Sequence, residues 1–165
     1  MSLLQGKFDQ REGWAVDGIY FPDGRVLHLS FTENGIVQRD STTIEILTDG
    51  SEDDDWMYLE EYVRVEAKGY IITGGATSWE GDGWVALQNS GSGELLWLIK
   101  LSDCEPVRSL AFVGDTIQAG SYGYPFYTRW QIPIGKPEKM HLDTPQRVDS
   151  RLRSDSNETD HNETE

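Results

Sequence analysis

The sequence predicts an all-β protein, built as an antiparallel meander of three four-stranded units and followed by a disordered C-terminal tail. Short runs rich in β-branched and aromatic residues alternate with glycine, proline and asparagine turns over residues 1–140. No long stretch has the 3.6-residue periodicity of an amphipathic helix, and the nearest one is "DWMYLEEYVRVEA". Two segments of the chain also match each other, which indicates an internal repeat.

The first unit is predicted from four runs near the N-terminus. Its strands are "GWAVDGIYF", "RVLHLSF", "GIVQRD" and "TTIEIL". The turn Pro22-Asp23-Gly24 joins the first two strands, because proline presets one backbone dihedral and glycine supplies the positive one.

The second and third units follow the same scheme. The second contains "EYVRVEA", "YIITGG", "GWVALQ" and "ELLWLIKL", with a flexible hairpin loop at residues 89–93. The third contains "VRSLAF", "DTIQAGS", "YTRWQIPI" and a short strand after Lys136-Pro137. Each unit therefore has the alternation of strands and turns expected of an antiparallel meander.

The internal repeat relates residues 63–75, "VRVEAKGYIITGG", to residues 107–121, "VRSLAFVGDTIQAGS". Val63 and Val107 are 44 positions apart, whereas Ile117 follows Ile71 by 46 positions. Trp84 is likewise followed by Trp130 after 46 positions. The growth in spacing predicts one small loop insertion in the second copy.

Residues 89–136, "NSGSGELLWLIKLSDCEPVRSLAFVGDTIQAGSYGYPFYTRWQIPIGK", resemble a WD-repeat propeller blade with its flanks. Residues 107–112, residues 117–121 and the pair Arg129-Trp130 take the places of three blade strands. The Gly-His pair of the family is absent, and its Trp-Asp pair is replaced by Trp130-Gln131. The resemblance covers about residues 63–135 and implies blade-like units. Since closed propellers need at least four blades, three units imply an open or partial propeller.

The composition changes near residue 141. Residues 141–165 are acidic and polar and contain no aromatic residue. Such a segment buries too little apolar surface to offset the entropy of ordering. We therefore expect a single all-β domain over residues 1–140 and a mostly disordered tail over residues 141–165.

The net charge limits the partners. The chain has 29 acidic residues against 14 lysines and arginines, and its formal net charge is -15. Such a molecule is repelled by nucleic acids and by anionic membranes, and its field favours a basic protein partner. Association with further copies of the chain is open, because three blade-like units do not close a ring.

A cytoplasmic location is expected from three features. Cys104 is the single cysteine of the sequence, which argues against a disulfide-stapled secreted domain. The first residues lack the cationic and apolar segments of a signal peptide, and no apolar run is long enough to span a membrane.

Neither an enzyme nor a cofactor or metal protein is expected. His28 is the single histidine of the predicted domain, and no nucleophile motif accompanies it. No glycine-rich phosphate loop precedes a helix. A calcium loop over residues 49–60 would place Asp54 where that loop needs glycine, so it is rejected. A carboxylate enzyme using Glu60 and Glu61 is disfavoured because neighbouring strand residues point to opposite faces.

The predicted partner-binding site combines carboxylates with aromatic rings. Residues 49–61 contain seven carboxylates and no basic residue, and a second aromatic cluster follows at "SYGYPFYTRW". Acidic groups attract a basic surface over long range, and rings give rigid contact area. The candidate residues are Glu52, Asp53, Asp54, Asp55, Trp56, Tyr58, Tyr122 and Tyr124.

Two functions are consistent with these features of the sequence. The leading hypothesis is an immunity protein without enzymatic activity that neutralises a basic toxin, such as a nuclease, by blocking its active site. The alternative is a propeller-like scaffold that binds a peptide or protein partner. Genomic adjacency to a toxin gene would separate the two.

Overall fold

The computed structural model describes residues 1–32, 35–49, 56–78, 81–102, 104–123 and 126–147. The helices are α1 Leu3–Asp9 and α2 Ile44–Asp49, with a 3-10 helix at Pro137–Lys139. The first strands are β1 Glu12–Trp14, β2 Gly18–Tyr20, β3 Arg25–Thr32, β4 Gly35–Thr43, β5 Trp56–Ala67 and β6 Tyr70–Thr77. The others are β7 Gly83–Asn89, β8 Leu95–Leu101, β9 Val107–Val113, β10 Thr116–Gly123, β11 Phe126–Pro133 and β12 His141–Arg147.

The strands form two antiparallel sheets. The large sheet has eight strands in the order β1-β5-β6-β7-β8-β2-β3-β4, and the small sheet has four in the order β12-β11-β10-β9. All pairings between described strands are antiparallel. The predicted fold class, an antiparallel all-β meander, is therefore confirmed.

The predicted units differ in how far they stay separate. Strands β5–β8 and β9–β12 are each four-stranded meanders, as expected for the second and third units. The first unit does not form a sheet of its own, because β2 pairs with β8 and β1 pairs with β5. These pairings satisfy backbone groups that an isolated edge strand would expose. The first two units are consequently one continuous sheet.

The run "TTIEIL", predicted as a strand, is mostly helix α2. The hydroxyl of Thr43 accepts a hydrogen bond from Ile46 N at 3.3 Å, which caps the helix N-terminus. Ile44 is buried, and its backbone N donates to Gly24 O at 2.8 Å. A threonine cap and one buried contact thus override the β-propensity of the run.

Helix α1 was not predicted, because seven residues are too few for a periodic pattern to stand out. Ser2 caps the helix by accepting from Gln5 N at 3.1 Å. Leu4 and Phe8, one turn apart, point the same way and are buried. No helix in the described part of the chain is long and apolar enough to cross a membrane.

The ordered fold extends past residue 140, the predicted end of the domain. Residues 141–147 form β12, which pairs with β11. Leu142 lies opposite Trp130 and is buried, so this edge strand covers part of the core. Strand β12 therefore ends seven residues past the predicted boundary. The remainder of the predicted tail lies outside the described residues.

The large sheet has a core on each face. One core lies between the two sheets and contains Val85, Val107, Ile117 and Trp130 among others. The second core lies on the other face, where α1 packs, and includes Phe8 and Trp84. The ring of Phe8 meets that of Trp84 edge-on at 6.2 Å.

The β5–β6 and β9–β10 hairpins of the internal repeat are related by a constant offset of 46 positions, so the loop insertion predicted in the second copy is absent from these hairpins. The β5–β6 hairpin turns at Lys68-Gly69, where both residues have positive φ, and the β9–β10 hairpin turns at Gly114. Both hairpins also contain a β-bulge. The bulged residues are Tyr62 and Arg108, which are 46 positions apart.

The two tryptophans of the repeat occupy equivalent faces. Trp84 lies opposite Gly75, whereas Trp130 lies opposite Ala119, which is the repeat equivalent of Thr73. The two tryptophans therefore differ by two positions in strand register. Each tryptophan shares a face with the isoleucine of its own copy, because strand residues two apart point the same way. Their surroundings differ, since Trp84 packs under α1 and Trp130 packs between the sheets.

The apolar residues of β9 and β10 differ in how deeply they are buried. Ile117 is fully buried between the sheets. Leu110 and Phe112 only pack against that core and remain partly exposed, because β9 is an edge strand of the small sheet. Phe112 truncation would therefore cost less than the loss of a fully buried ring.

The buried Tyr20 is expected to make the folded state less stable at alkaline pH. Its hydroxyl donates to Val16 O, and burial raises its pKa far above the usual range, with the nearby Asp17 carboxylate adding to the effect. The folded state therefore resists ionisation of this group, whereas the unfolded chain ionises near pH 10. We expect the free energy of unfolding to fall by about 1.4 kcal/mol per pH unit above about pH 10 from this group.

Tyr20→Phe tests this expectation. At neutral pH the substitution should cost about 1 kcal/mol, the net value of one hydrogen bond. In urea unfolding at increasing pH, the variant should lose stability less steeply than the wild type above about pH 10. Parallel curves for the two proteins would contradict the assignment.

Candidate partner-binding surface

Strands β5, β7 and β9 all begin at one end of the molecule, which we call the loop end. Gly83 N, at the start of β7, donates to Cys104 O in the β8–β9 connection at 2.9 Å. At the opposite end, which we call the turn end, Lys68 Nζ donates to Gly114 O at 2.9 Å. Strands β5 and β9 therefore both run from the loop end to the turn end. Because β10 is antiparallel to β9, it finishes at the loop end.

This topology brings the anchors of the two predicted segments to one end. The acidic run leads into Trp56 at the start of β5, and the aromatic cluster follows Tyr122 at the end of β10. Glu52, Asp53, Asp54, Asp55 and Tyr124 lie outside the described residues, so their part in the site stays a prediction.

Trp56 makes intramolecular contacts. It is partly buried, and its ring lies 4.9 Å from that of Trp14. The ammonium of Lys7 lies 3.9 Å from the Trp56 ring centroid and 2.9 Å from Glu12 Oε2. The ring thus already binds a cation of its own chain.

Three exposed tyrosines lie on the strands that meet the loop end. Tyr58 is 53% exposed, Tyr62 is 42% exposed and Tyr122 is 37% exposed. The hydroxyl of Tyr122 lies 3.0 Å from that of Ser109, which holds its ring over the outer face of the small sheet. These tyrosine rings offer both apolar and polar contacts and are held on rigid strands. Protein interfaces are enriched in such side chains.

Tyr62 was not predicted as part of the surface. Its ring carries the guanidinium of Arg108 at 4.8 Å, so the two bulged residues of the repeat contact each other across the seam between the sheets. The alternation in "EEYVRVEA" could have placed Tyr62 on a solvent face. The contact with Arg108 depends on sheet packing and leaves no signal in the sequence.

A buried charge cluster, also not predicted, lies at the loop end. Lys100 Nζ donates to Ala15 O at 2.6 Å and to Asp17 Oδ1 at 3.0 Å, and it lies 3.2 Å from Asp82 Oδ2. Lys100 and Asp82 are both buried. Ser102 N donates to Asp17 Oδ1 at 2.9 Å. The cluster ties the β1–β2 connection to the start of β7 and the end of β8.

A cleft of about 470 Å³ opens beside this cluster. Its lining residues are Ala15, Val16, Asp17, His28, Leu29, Ser30, Asp40 and Ser102. Its described lining has two carboxylates and no lysine or arginine. Together with the adjacent Asp82 carboxylate and the Lys100 ammonium, these described groups leave a net negative charge at the cleft. The cleft adds to the acidic character of the loop end.

The described residues offer little to a metal ion. No group of three histidine, cysteine, aspartate or glutamate side chains among them is arranged to hold one. Of the calcium-loop positions weighed from the sequence, Asp49 ends α2 and Glu60 lies within β5, while residues 51–55 lie outside the described part.

Three comparisons of the chain with known proteins found no match: no protein family, no curated protein and no solved structure matches it.

Proposed function

We propose that this chain is a small acidic binding protein that neutralises a basic protein partner, such as a nuclease toxin, by covering its active site. The observation that carries the proposal is the position of exposed Tyr58, Tyr62 and Tyr122 at the end where the acidic segment joins β5. A nuclease presents cations to phosphate groups, so an anionic surface can take the place of its substrate. The net charge of -15 favours fast encounter with such a partner.

The structure gives this proposal two physical supports. The exposed rings lie on strands that are paired within the sheets, which lowers the entropy lost on binding. The loop-end cleft adds the carboxylate of Asp40 and that of Asp17, which is paired with Lys100, to the acidic residues available at this end. Among the described residues, carboxylates and exposed rings thus occur at the same end of the molecule.

Affinity capture tests the proposal with a matched variant. The wild type and the Asp53→Asn/Asp54→Asn/Asp55→Asn variant are used to capture proteins from the native host, and the captured proteins are identified by mass spectrometry. We expect the wild type to capture a basic protein and the variant to associate with it about tenfold more slowly at low salt. The melting temperature should stay nearly unchanged, because surface charge changes cost little stability.

Two outcomes would contradict the proposal. One is capture of the same acidic or neutral proteins by both forms. The other is a large stability loss in the variant with normal binding. If the captured protein is basic and its activity persists at saturating amounts of this chain, the chain is an interaction scaffold and not an inhibitor.

A further inference from the structure

Strand β5 has three exposed or partly exposed aromatic rings, and two of them bind cations of the same chain. Lys7 lies over Trp56 at 3.9 Å, and Arg108 lies over Tyr62 at 4.8 Å. Tyr58, between them, has no lysine or arginine over its ring among the described residues, although it is the most exposed of the three. Strand β5 therefore has three aromatic rings in a row, of which the outer two each bind a cation of the described chain and the middle one, Tyr58, does not.

Carboxylates flank the open ring. Glu12 is the cross-strand partner of Tyr58 on β1, and Glu60 lies two residues further along the same face of β5. Directly opposed side chains in antiparallel strands have Cβ atoms only about 5 Å apart. One oxygen of Glu12 is bound by Lys7, and one oxygen of Glu60 accepts from the Tyr62 hydroxyl at 3.4 Å. Each carboxylate keeps a second oxygen that can accept a further hydrogen bond.

The backbone at Tyr58 is fixed on both sides. Tyr58 N donates to the Ser78 hydroxyl at 3.2 Å, and Tyr58 O accepts from Ser78 N at 3.0 Å. On its other side, the strand pairs with β1 through Glu12. The ring therefore projects from an ordered strand, which suits an anchor residue.

We propose that Tyr58 anchors the interface by stacking on an arginine guanidinium of the basic partner, with the carboxylates of Glu12 and Glu60 on either side. This inference rests on the proposed function and names the chemistry of the contact. A guanidinium is planar and stacks on aromatic rings while its N–H groups still reach carboxylates. An ammonium is a compact, strongly hydrated charge and gains less from the ring. The surface should therefore prefer arginine over lysine.

Octa-arginine and octa-lysine peptides of equal charge are the probes for this preference. Their affinities are measured by fluorescence anisotropy at about 50 and about 300 mM salt, where screening differs strongly. For the wild type, we expect salt-dependent binding with arginine favoured by about two- to fivefold, the range of one exposed cation–π contact. Tyr58→Ala should reduce this preference to near unity, and Tyr58→Phe should keep it.

Val113→Ala is the matched control, because Val113 is 52% exposed and lies on β9 near the turn end. It should leave both affinities and their ratio unchanged. If Tyr58→Ala fails to fold by circular dichroism, Tyr58→Thr keeps a strand-forming residue and carries the same comparison.

The outcomes separate the two proposals. Equal affinity of the wild type for both peptides, or an arginine preference that survives Tyr58→Ala, overturns the anchor while salt-dependent binding still supports a basic partner. Absence of salt-dependent binding to either peptide overturns the anchor and counts against the proposed function as well.

Discussion

Replacing Trp84 with alanine is expected to lower the free energy of unfolding by about 3–5 kcal/mol, the usual cost of removing a fully buried large aromatic ring. Trp84 is 0% exposed, its ring meets Phe8 of α1, and its Nε1 donates to Ala76 O at 3.1 Å. Whole domains have only about 5–15 kcal/mol of stability, so this single change should bring the fold close to its limit. Urea unfolding followed by circular dichroism measures the loss.

Two variants control the Trp84 prediction. Ile46→Ala removes a side chain that is 63% exposed on α2, and it should change the stability by less than about 0.5 kcal/mol. Trp84→Phe keeps most of the aromatic contact and removes the hydrogen bond, so its loss of stability should lie between those of Ile46→Ala and Trp84→Ala. A loss at Trp84→Ala no larger than that at Ile46→Ala would refute the core beneath α1.

The second large effect is expected at Lys100. Lys100→Met removes the ammonium that lies between Asp17 and Asp82, and breaking a buried ion pair in this way costs about 3–5 kcal/mol. The loss comes from the carboxylates that remain without the counter-charge and not from the missing attraction alone. The same substitution at Lys7, whose ion pair with Glu12 is partly exposed, should cost about 1 kcal/mol or less.

A double variant identifies the cause of the Lys100 effect. Lys100→Met/Asp82→Asn removes the buried negative charge together with the ammonium, so it should regain at least half of the lost stability. If the double variant is less stable than Lys100→Met, the loss is due to packing and the electrostatic account of this cluster is wrong.

The fold class followed from local signals that the structure retains. Turn residues such as Lys68-Gly69 and Gly114 define hairpins whose register the alternation of side chains then fixes. The merging of the first two units could not be predicted, because the pairing of β2 with β8 joins Ile19 to Ile99 across 80 residues. Non-local pairing leaves no periodic pattern in the chain.

The helices were missed for a different reason. Helix α2 occupies a run whose β-branched residues favour a strand, and its only helical signal is the cap at Thr43. Helix α1 depends on Ser2 and on two apolar residues one turn apart. Such short helices are stabilised by tertiary packing rather than by propensity, so the sequence pattern alone does not reveal them.

The sequence predicted which residue types form the surface but not how their side chains are arranged. An acidic run beside aromatic residues pointed to Trp56, Tyr58 and Tyr122. It could not show that Trp56 carries Lys7 while the Tyr58 ring has no cation of the described chain over it. The buried position of Lys100 could not be predicted either. A lysine at the end of an apolar strand gives the same sequence pattern whether its ammonium faces water or, as here, two carboxylates.

Hydrogen exchange of the chain in complex with its captured basic partner tests the central claim most directly, because it reports which backbone segments the partner covers. The account predicts added protection at the loop end, in residues 56–62 and 104–109 and near Tyr122, with little change at the turns of Lys68-Gly69 and Gly114. Protection confined to the turn end or to α2, with the loop end unchanged, would contradict it.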